Sequence, residues 1–436
     1  MDLNEILDRA LMVADEAEVL HVVSRETPAI FETNRLKLLE TRETAGLALR
    51  IIKDGRIGFA STTDLSNLQG LVDAATEVAP FGAEARFEFP SKSVYPSVEV
   101  YDAGVETITE DEMVSLGQDL IDNVLVDHPD VQWDGRVGKA ITTQSIVNSR
   151  GGAVSYISSN FGVSLHGTLV QGEDMLFVGD RESSCRPVTD TSAIRESVAI
   201  QLARARVTAF PVSGSLPVIF TPHGVAGTLL GPLLSGFNGR TVLQGTSPLI
   251  DRLGERIVSE TFSLWDDPTL QYIPGSSKAD DEGVPSRRQA LIDKGVATTF
   301  LYDLQTAGQA GTETTGSASR SLATLPSPSS SVLIIDGGSV AFDDMVKDIQ
   351  EGIVVEQLLG AGQGNVLAGE FNANVLLGYL VKNGELVGRI KDTTISGNVY
   401  DVLNNLVAIG DEARWLGGYL KTPALYCKGV SVSAKK

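Results

Sequence analysis

The hydrophobic positions change period several times along the chain, and each change predicts an element. Leu3, Ile6, Leu7, Ala10, Leu11 and Ala14 recur at helical spacing and predict a first helix. Leu47–Lys53 and Arg56–Ser61 then flank Asp54-Gly55, whose residues both accept positive φ, and predict a β-hairpin. Ser66 with Gln69 three residues later has the pattern of a capping box before a helix through Leu68, Leu71, Val72 and Ala75. Thr109 and Glu112 repeat that pattern before Met113, Leu116, Leu120 and Val124. Between the two helices runs a Pro- and Phe-containing loop from Pro80 to Pro96. Alternation from Val131 to Val178 predicts a β-meander with Gly151-Gly152 at one turn. Thr191–Val207 returns to helical spacing through Ile194, Val198 and Leu202.

Ala209–Pro217 interrupts the pattern with two prolines, a glycine and two serines, and predicts a boundary near residue 212. An α+β region, 1–212, is expected to precede a β-rich region, 213–436. The second region opens on Leu216–Arg240, where the run Val218-Ile219-Phe220 predicts a buried strand. Val225, Leu229, Leu230, Leu233 and Leu234 then predict a helix. That helix carries Gly224, Gly227, Gly231, Gly236 and Gly239, so a backbone pressed close to it is expected. Gln289–Asp293 and Val296–Tyr302 are predicted to pair across Lys294-Gly295, and Val375–Lys382 and Glu385–Ile390 across Asn383-Gly384. Gly316–Ser331, rich in Ser and Pro, predicts an exposed mobile loop. Val332–Ile335 predicts a strand, Asp343–Gly352 a short acidic helix, Tyr400–Ile409 a helix and Ala424–Val432 a closing strand.

Charge narrows the function classes. A formal net charge of −21 with no basic run argues against a nucleic-acid partner, which needs clustered Lys and Arg. The opening MDLNEILDRA is acidic and amphipathic, unlike a secretory signal, and no apolar run approaches the ~20 residues that span a bilayer. Two cysteines, Cys185 and Cys427, form no CxxC motif. Free thiols in a cytoplasmic protein are the expectation.

Few residues propose themselves for chemistry. None of the four histidines, His21, His128, His166 and His223, has the HExxH spacing of a zinc protease. His223, between a predicted strand and the Gly-rich helix, stands where ligands often dock, or it is a surface or cap histidine. Asp280-Asp281-Glu282-Gly283 offers either a cation or acid/base pair or a turn in which Asp accepts local N–H groups and Gly283 supplies positive φ. Gly360-Ala361-Gly362-Gln363-Gly364 lacks phosphate-loop spacing and reads as a plain loop.

Four separated stretches carry a resemblance. Thr44–Leu65, Asp280–Tyr302 (DDEGVPSRRQALIDKGVATTFLY), Gly369–Asn398 and Thr422-Pro423-Ala424 are similar, in this order, to signatures of the TldD/PmbA family, once called modulators of DNA gyrase. The resemblance implies a β-rich carboxy-terminal domain of the TldD/PmbA type. It implies two kinds of member: a zinc peptidase bearing HExxxH and a later cysteine ligand, and a PmbA/TldE-like partner without the metal. Set against that motif, this chain has Gly231 and Gly236 at the histidine positions and Pro232 at the glutamate position. The resemblance therefore implies a subunit with no catalytic residue and no zinc of its own. It would dimerise with a TldD-like zinc subunit, or with itself, around unfolded or precursor peptides. His223, Asp281, Glu282 and Arg287 are then candidates for peptide contact or for turn structure. A stand-alone homodimer that binds peptides without proteolysis is the other expectation.

Overall fold

In the computed structural model, which describes residues 1–435, the first half is built on one antiparallel sheet. Its strands are β1 (Glu16–Glu32), β2 (Arg35–Leu39), β3 (Arg42–Lys53), β4 (Arg56–Thr62), β5 (Gln132–Asn148), β6 (Ala153–Gln171) and β7 (Asp174–Ser184). They lie in the order β4-β3-β1-β5-β6-β7, with β2 paired to β1. Helices α1 (Leu3–Leu11), α2 (Leu68–Val78), α3 (Glu110–Asp127) and α4 (Ser192–Arg204) all pack on one face of the sheet. The registers Val19↔Val147 and Ala29↔Val137 put the apolar alternation of β1 and β5 on that face, where Trp133, Phe161 and Leu165 join the helices' cores. The reverse face carries Glu18, Leu20, Arg136, Gly138 and Ile146 and has no helix of the first half upon it.

The second half closes a barrel. Strand β8 (Gly214–Phe220) pairs in parallel with β9 (Glu351–Leu359), which pairs with β10 (Glu370–Lys382). Strand β10 continues into the hairpin strand β11 (Glu385–Ile390) and also pairs with β12 (Thr393–Asn398). Strand β12 pairs with the long last strand β14 (Leu420–Ala434), and β14 returns to β8. The cycle β8-β9-β10-β12-β14 thus has no free edge within it. Strand β13 (Leu406–Leu416) adds to β14 from outside. Alternate side chains serve two cores. Val218, Phe220, Ile353 and Val355 pack with the helices that follow β8. Ile219, Val354, Tyr379 and Tyr426 pack against α4 and the helix face of the first sheet.

Several expectations change here. A long strand, β1, fills a stretch where none was predicted; it pairs on both sides, and its alternation breaks at Ser24–Glu26 and Pro28. Asn67, rather than Ser66, caps α2 by accepting the Gly70 N–H, while Ser66 turns to Asp64. Gly214–Pro217 of the proposed boundary lies inside β8; Pro217, with no N–H to give, falls where the ladder with β14 shifts register. The strand from Val296 is only Val296–Ala297, and the acidic helix is Phe342–Lys347, because Glu351 and Gly352 already belong to β9. Tyr400–Ile409 is a helix only to Asn404 (α8, Val399–Asn404), and Ile409 pairs with Leu425 in the sheet. Gly316–Ser331 is exposed only at its tip, Ser319, Ser321 and Ala323–Leu325: Ser317, Ala318 and Pro328 are buried, and Ala318–Ser319 pairs with Ser327–Pro328. The turns at Asp54-Gly55, Lys294-Gly295 and Asn383-Gly384 hold positive φ at both residues, as expected. Cys185 and Cys427 are buried and free. Among the described residues no helix is long and apolar enough to cross a membrane.

Candidate functional site

The predicted Gly-rich helix is three short ones: α5 (Pro222–Thr228), α6 (Leu230–Phe237) and α7 (Gly239–Leu243). Thr221 caps α5 by accepting the Gly224 N–H, and Pro222 sits in the first turn, where its missing N–H costs nothing. Gly224 is required by a neighbour: a Cβ there would stand 2.3 Å from the Val355 carbonyl oxygen of β9. Gly227 and Gly231 instead face open space. Pro232 and Gly236 are buried. At Gly236 a Cβ would lie 2.1 Å from the Tyr400 Oη, which comes from α8 and has no hydrogen-bond partner among the described residues. The tyrosine thus fills the space into which a side chain at 236 would project.

Zinc needs imidazole, thiolate or carboxylate donors, and Gly231, Pro232 and Gly236 supply none. Cys427 is sealed in β14 opposite Val218. Among the described residues no three His, Cys, Asp or Glu side chains are placed to hold one metal ion. These residues do not fit a zinc ion.

His223, one residue into α5, leaves the metal-motif segment and points at the first sheet. Its Nε2 lies 3.3 Å from Asp180 Oδ1 on β7, and its Nδ1 lies 3.2 Å from Glu356 Oε1 on β9. Arg414 of β13 places Nη2 2.8 Å from the other oxygen of Asp180. Burial opposes a charge on His223, but the hydrogen bonds and charges of Asp180 and Glu356 outweigh it and raise its pKa to about 9. Asp180 is held well below the usual carboxylate range: burial works against its charge, and His223 and Arg414 overcome it. The imidazolium is therefore bound on both nitrogens, leaving no lone pair for a metal or a substrate proton.

Asp281 and Glu282 belong to a different place, a tight turn against the reverse face of the sheet. Asp280 accepts the N–H groups of Glu282, Val284 and Ala318, and Gly283 takes φ +76°. Burial and the neighbouring Glu282 push Asp280 well above the usual carboxylate range. Asp281 accepts from Gln144 Nε2 of β5 and from the Arg320 N–H. Glu282 is fully buried; one oxygen accepts from Arg50 Nη1 at 2.6 Å and the other from the Leu304 N–H at 2.7 Å. Arg50 also donates to Glu18, and Arg320, from the stretch expected to be mobile, pairs with Glu18 at 2.8 Å. Phe87 and Phe89 flank the Arg50 guanidinium. Four charges, two of each sign, lock the turn to β1 and β3.

The structure does not unite the candidates. His223 and the pair Asp281–Glu282 have separate partners, and Arg287 is exposed, donating to the Thr314 carbonyl. Sequence reasoning missed Asp180, Glu356, Arg414, Arg50, Glu18, Arg320 and Tyr400. A lone Glu18 and a lone Arg50 on predicted or unpredicted strands carry no local mark of burial.

Comparisons with known proteins follow the same outline. Residues 213–434 match the PmbA/TldA metallopeptidase C-terminal domain, and residues 17–79 match domain 1 of that family. Metalloprotease PmbA of Escherichia coli is 25% identical, the match covering 94% of this chain and 91% of its own. An uncharacterized protein of Methanocaldococcus jannaschii is 26% identical over 99% of this chain and 100% of its own. The crystal structure of TldE from Thermococcus kodakarensis superposes with a TM-score of 0.89 at 24% identity, covering 99% of this chain and all of that one.

Proposed function

The chain belongs to the PmbA/TldD metallopeptidase family, with a peptidase-associated role, and from that premise we propose that it is a non-catalytic, PmbA/TldE-like subunit. It pairs with a TldD-like zinc peptidase subunit that cuts unfolded or precursor peptides. One observation carries the reading. The segment Gly231-Pro232-Leu233-Leu234-Ser235-Gly236 has no donor at the positions of the HExxxH motif, and Tyr400 closes the space at Gly236. The barrel and sheet supply a rigid frame on which an extended peptide can be held without any bond being broken by this chain.

The test is the purified chain, alone and mixed with an HExxxH-bearing paralogue. Elemental analysis of the lone chain is expected to give near-zero zinc, and an unfolded peptide is expected to be cleaved only in the mixture. Cleavage by the lone chain that a chelator abolishes overturns the proposal. Tight peptide binding with no gain of activity in the mixture overturns it in favour of a stand-alone peptide-binding homodimer.

A further inference from the structure

The second half covers only part of the reverse face of the first sheet. Near the chain ends of β1 and β5, Leu20 and Ile146 lie under Ala279 and Leu322. Further along the same face, a recess of about 300 Å³ stays open, lined by Pro28, Arg136, Gly138, Asn160, Gly162 and Arg181. The strand register explains its form. Arg136, Ser164 and Arg181 are direct cross-strand neighbours on β5, β6 and β7. The next row toward the covered half is Pro28, Gly138, Gly162 and Ser183, a floor with no large side chain. Two arginines thus stand at one edge of a bed of nearly bare backbone.

Neither guanidinium has an ion pair or a hydrogen bond among the described residues, whereas Arg50, Arg150, Arg389 and Arg414 each hold a carboxylate. This happens in a chain of net charge −21, where carboxylates outnumber cations. Arg136 lies along the floor, its Nε 3.5 Å from where a Cβ on Gly138 would be. Arg181 reaches the tip of the β13–β14 hairpin, its Nη2 3.3 Å from where a Cβ on Gly417 would be. The two strands' separation is roughly 10 Å, a span from which two arginine side chains can converge on one carboxylate. Glu26 lies beside Ala140, one row beyond the glycines, and gives the far end the opposite sign.

We propose that this recess binds an acidic peptide segment, with a Glu or Asp side chain or the terminal carboxylate between Arg136 and Arg181 and the backbone on the Gly138–Gly162 floor. The inference rests on the peptide-handling reading above and adds to it a preference for sequence. The missing side chains matter as much as the charges. Larger residues at 138 and 162 would hold a peptide backbone off the sheet, and glycine lets it approach.

Binding to the lone full chain tests this without any catalytic partner, so failure here leaves the subunit reading intact and failure of the mixing experiment leaves this site intact. The probes are an unstructured peptide with one central Glu, its Gln counterpart, and inorganic phosphate, measured by fluorescence anisotropy at low and high salt. The Glu peptide is expected to bind about 10-fold more tightly than the Gln peptide, the discrimination falling with salt. Arg136→Gln with Arg181→Gln is expected to abolish that discrimination, while the surface control Arg256→Gln leaves it unchanged. Unfolding temperatures of the variants check that both remain folded. Equal binding of the two peptides, or discrimination surviving the double substitution, overturns the proposal. Displacement of the Glu peptide by phosphate at equal concentration also overturns it, leaving a plain anion site.

Discussion

Two of the ionic junctions that join the halves of this protein lie on opposite faces of the same sheet, and they differ in what they can do. On the reverse face, Arg50 and Arg320 meet Glu18 and Glu282 with every side chain at most 2% exposed. On the helix face, His223 meets Asp180 and Glu356 with 21% of the histidine exposed, and the outlying Arg414 is 43% exposed. The first uses arginines, which do not lose their charge at any ordinary pH; the second depends on an imidazole that does. A sealed junction of permanent charges fixes geometry. A partly open junction built on histidine fixes it only over a range of pH.

The comparison breaks most visibly at the sealed junction. Arg50→Met leaves Glu18 and Glu282 buried without their shared partner and is expected to destabilise the fold by about 3–5 kcal/mol, read by denaturant unfolding. A loss below about 1 kcal/mol would mean that Arg320 or water takes over and that the junction is not sealed.

His223→Leu is expected to cost less, about 2 kcal/mol near neutral pH, since part of the site reaches solvent. Its pH dependence is the sharper test. The folded pKa of His223 is raised from 6.5 to about 9, so its contribution is complete below 6.5 and is lost as pH rises through 9. Native stability should therefore fall between pH 6.5 and 9.5 relative to His223→Leu, whereas Arg50→Met should show the same fall as the native chain. Asp180, with its lowered pKa, contributes above its ordinary value and loses that contribution as pH drops below it. Glu356→Gln removes one of the two partners and keeps a hydrogen-bonding group. It should cost about 1 kcal/mol and move the His223 titration downward, as followed by imidazole NMR. The baseline for all three is Arg256→Ala, which removes an exposed i,i+4 pair with Glu260 and should change stability by less than about 0.5 kcal/mol.

Neither junction was legible in the sequence, though much around them was. Hairpins at Asp54-Gly55 and Asn383-Gly384 could be read because positive φ is a property of the turn residues themselves. The Thr109–Glu112 capping box is equally local and is present with both of its hydrogen bonds. The turn at Asp280–Gly283 could be foreseen as a turn, but not that Glu282 meets an arginine 232 positions earlier. Tyr400–Ile409 shows the same limit in the secondary structure: its apolar spacing suits a helix, and pairing with β14 takes its second half into the sheet. Gly316–Ser331 has the composition of a free loop, and Arg320 and Ala318 tie it down through partners no composition reveals.

The contact between Tyr400 and Gly236 bears on which substitutions the segment can accept. A single replacement that placed a histidine at position 236 would strike the Tyr400 hydroxyl, and it would destabilise the fold before any metal could be met. A metal site built on this segment would need a smaller residue at 400 together with donors at 231, 232 and 236, none of them sufficient alone. The packing of one hydroxyl thus sets an order of events: position 400 must change before position 236 can accept any side chain at all.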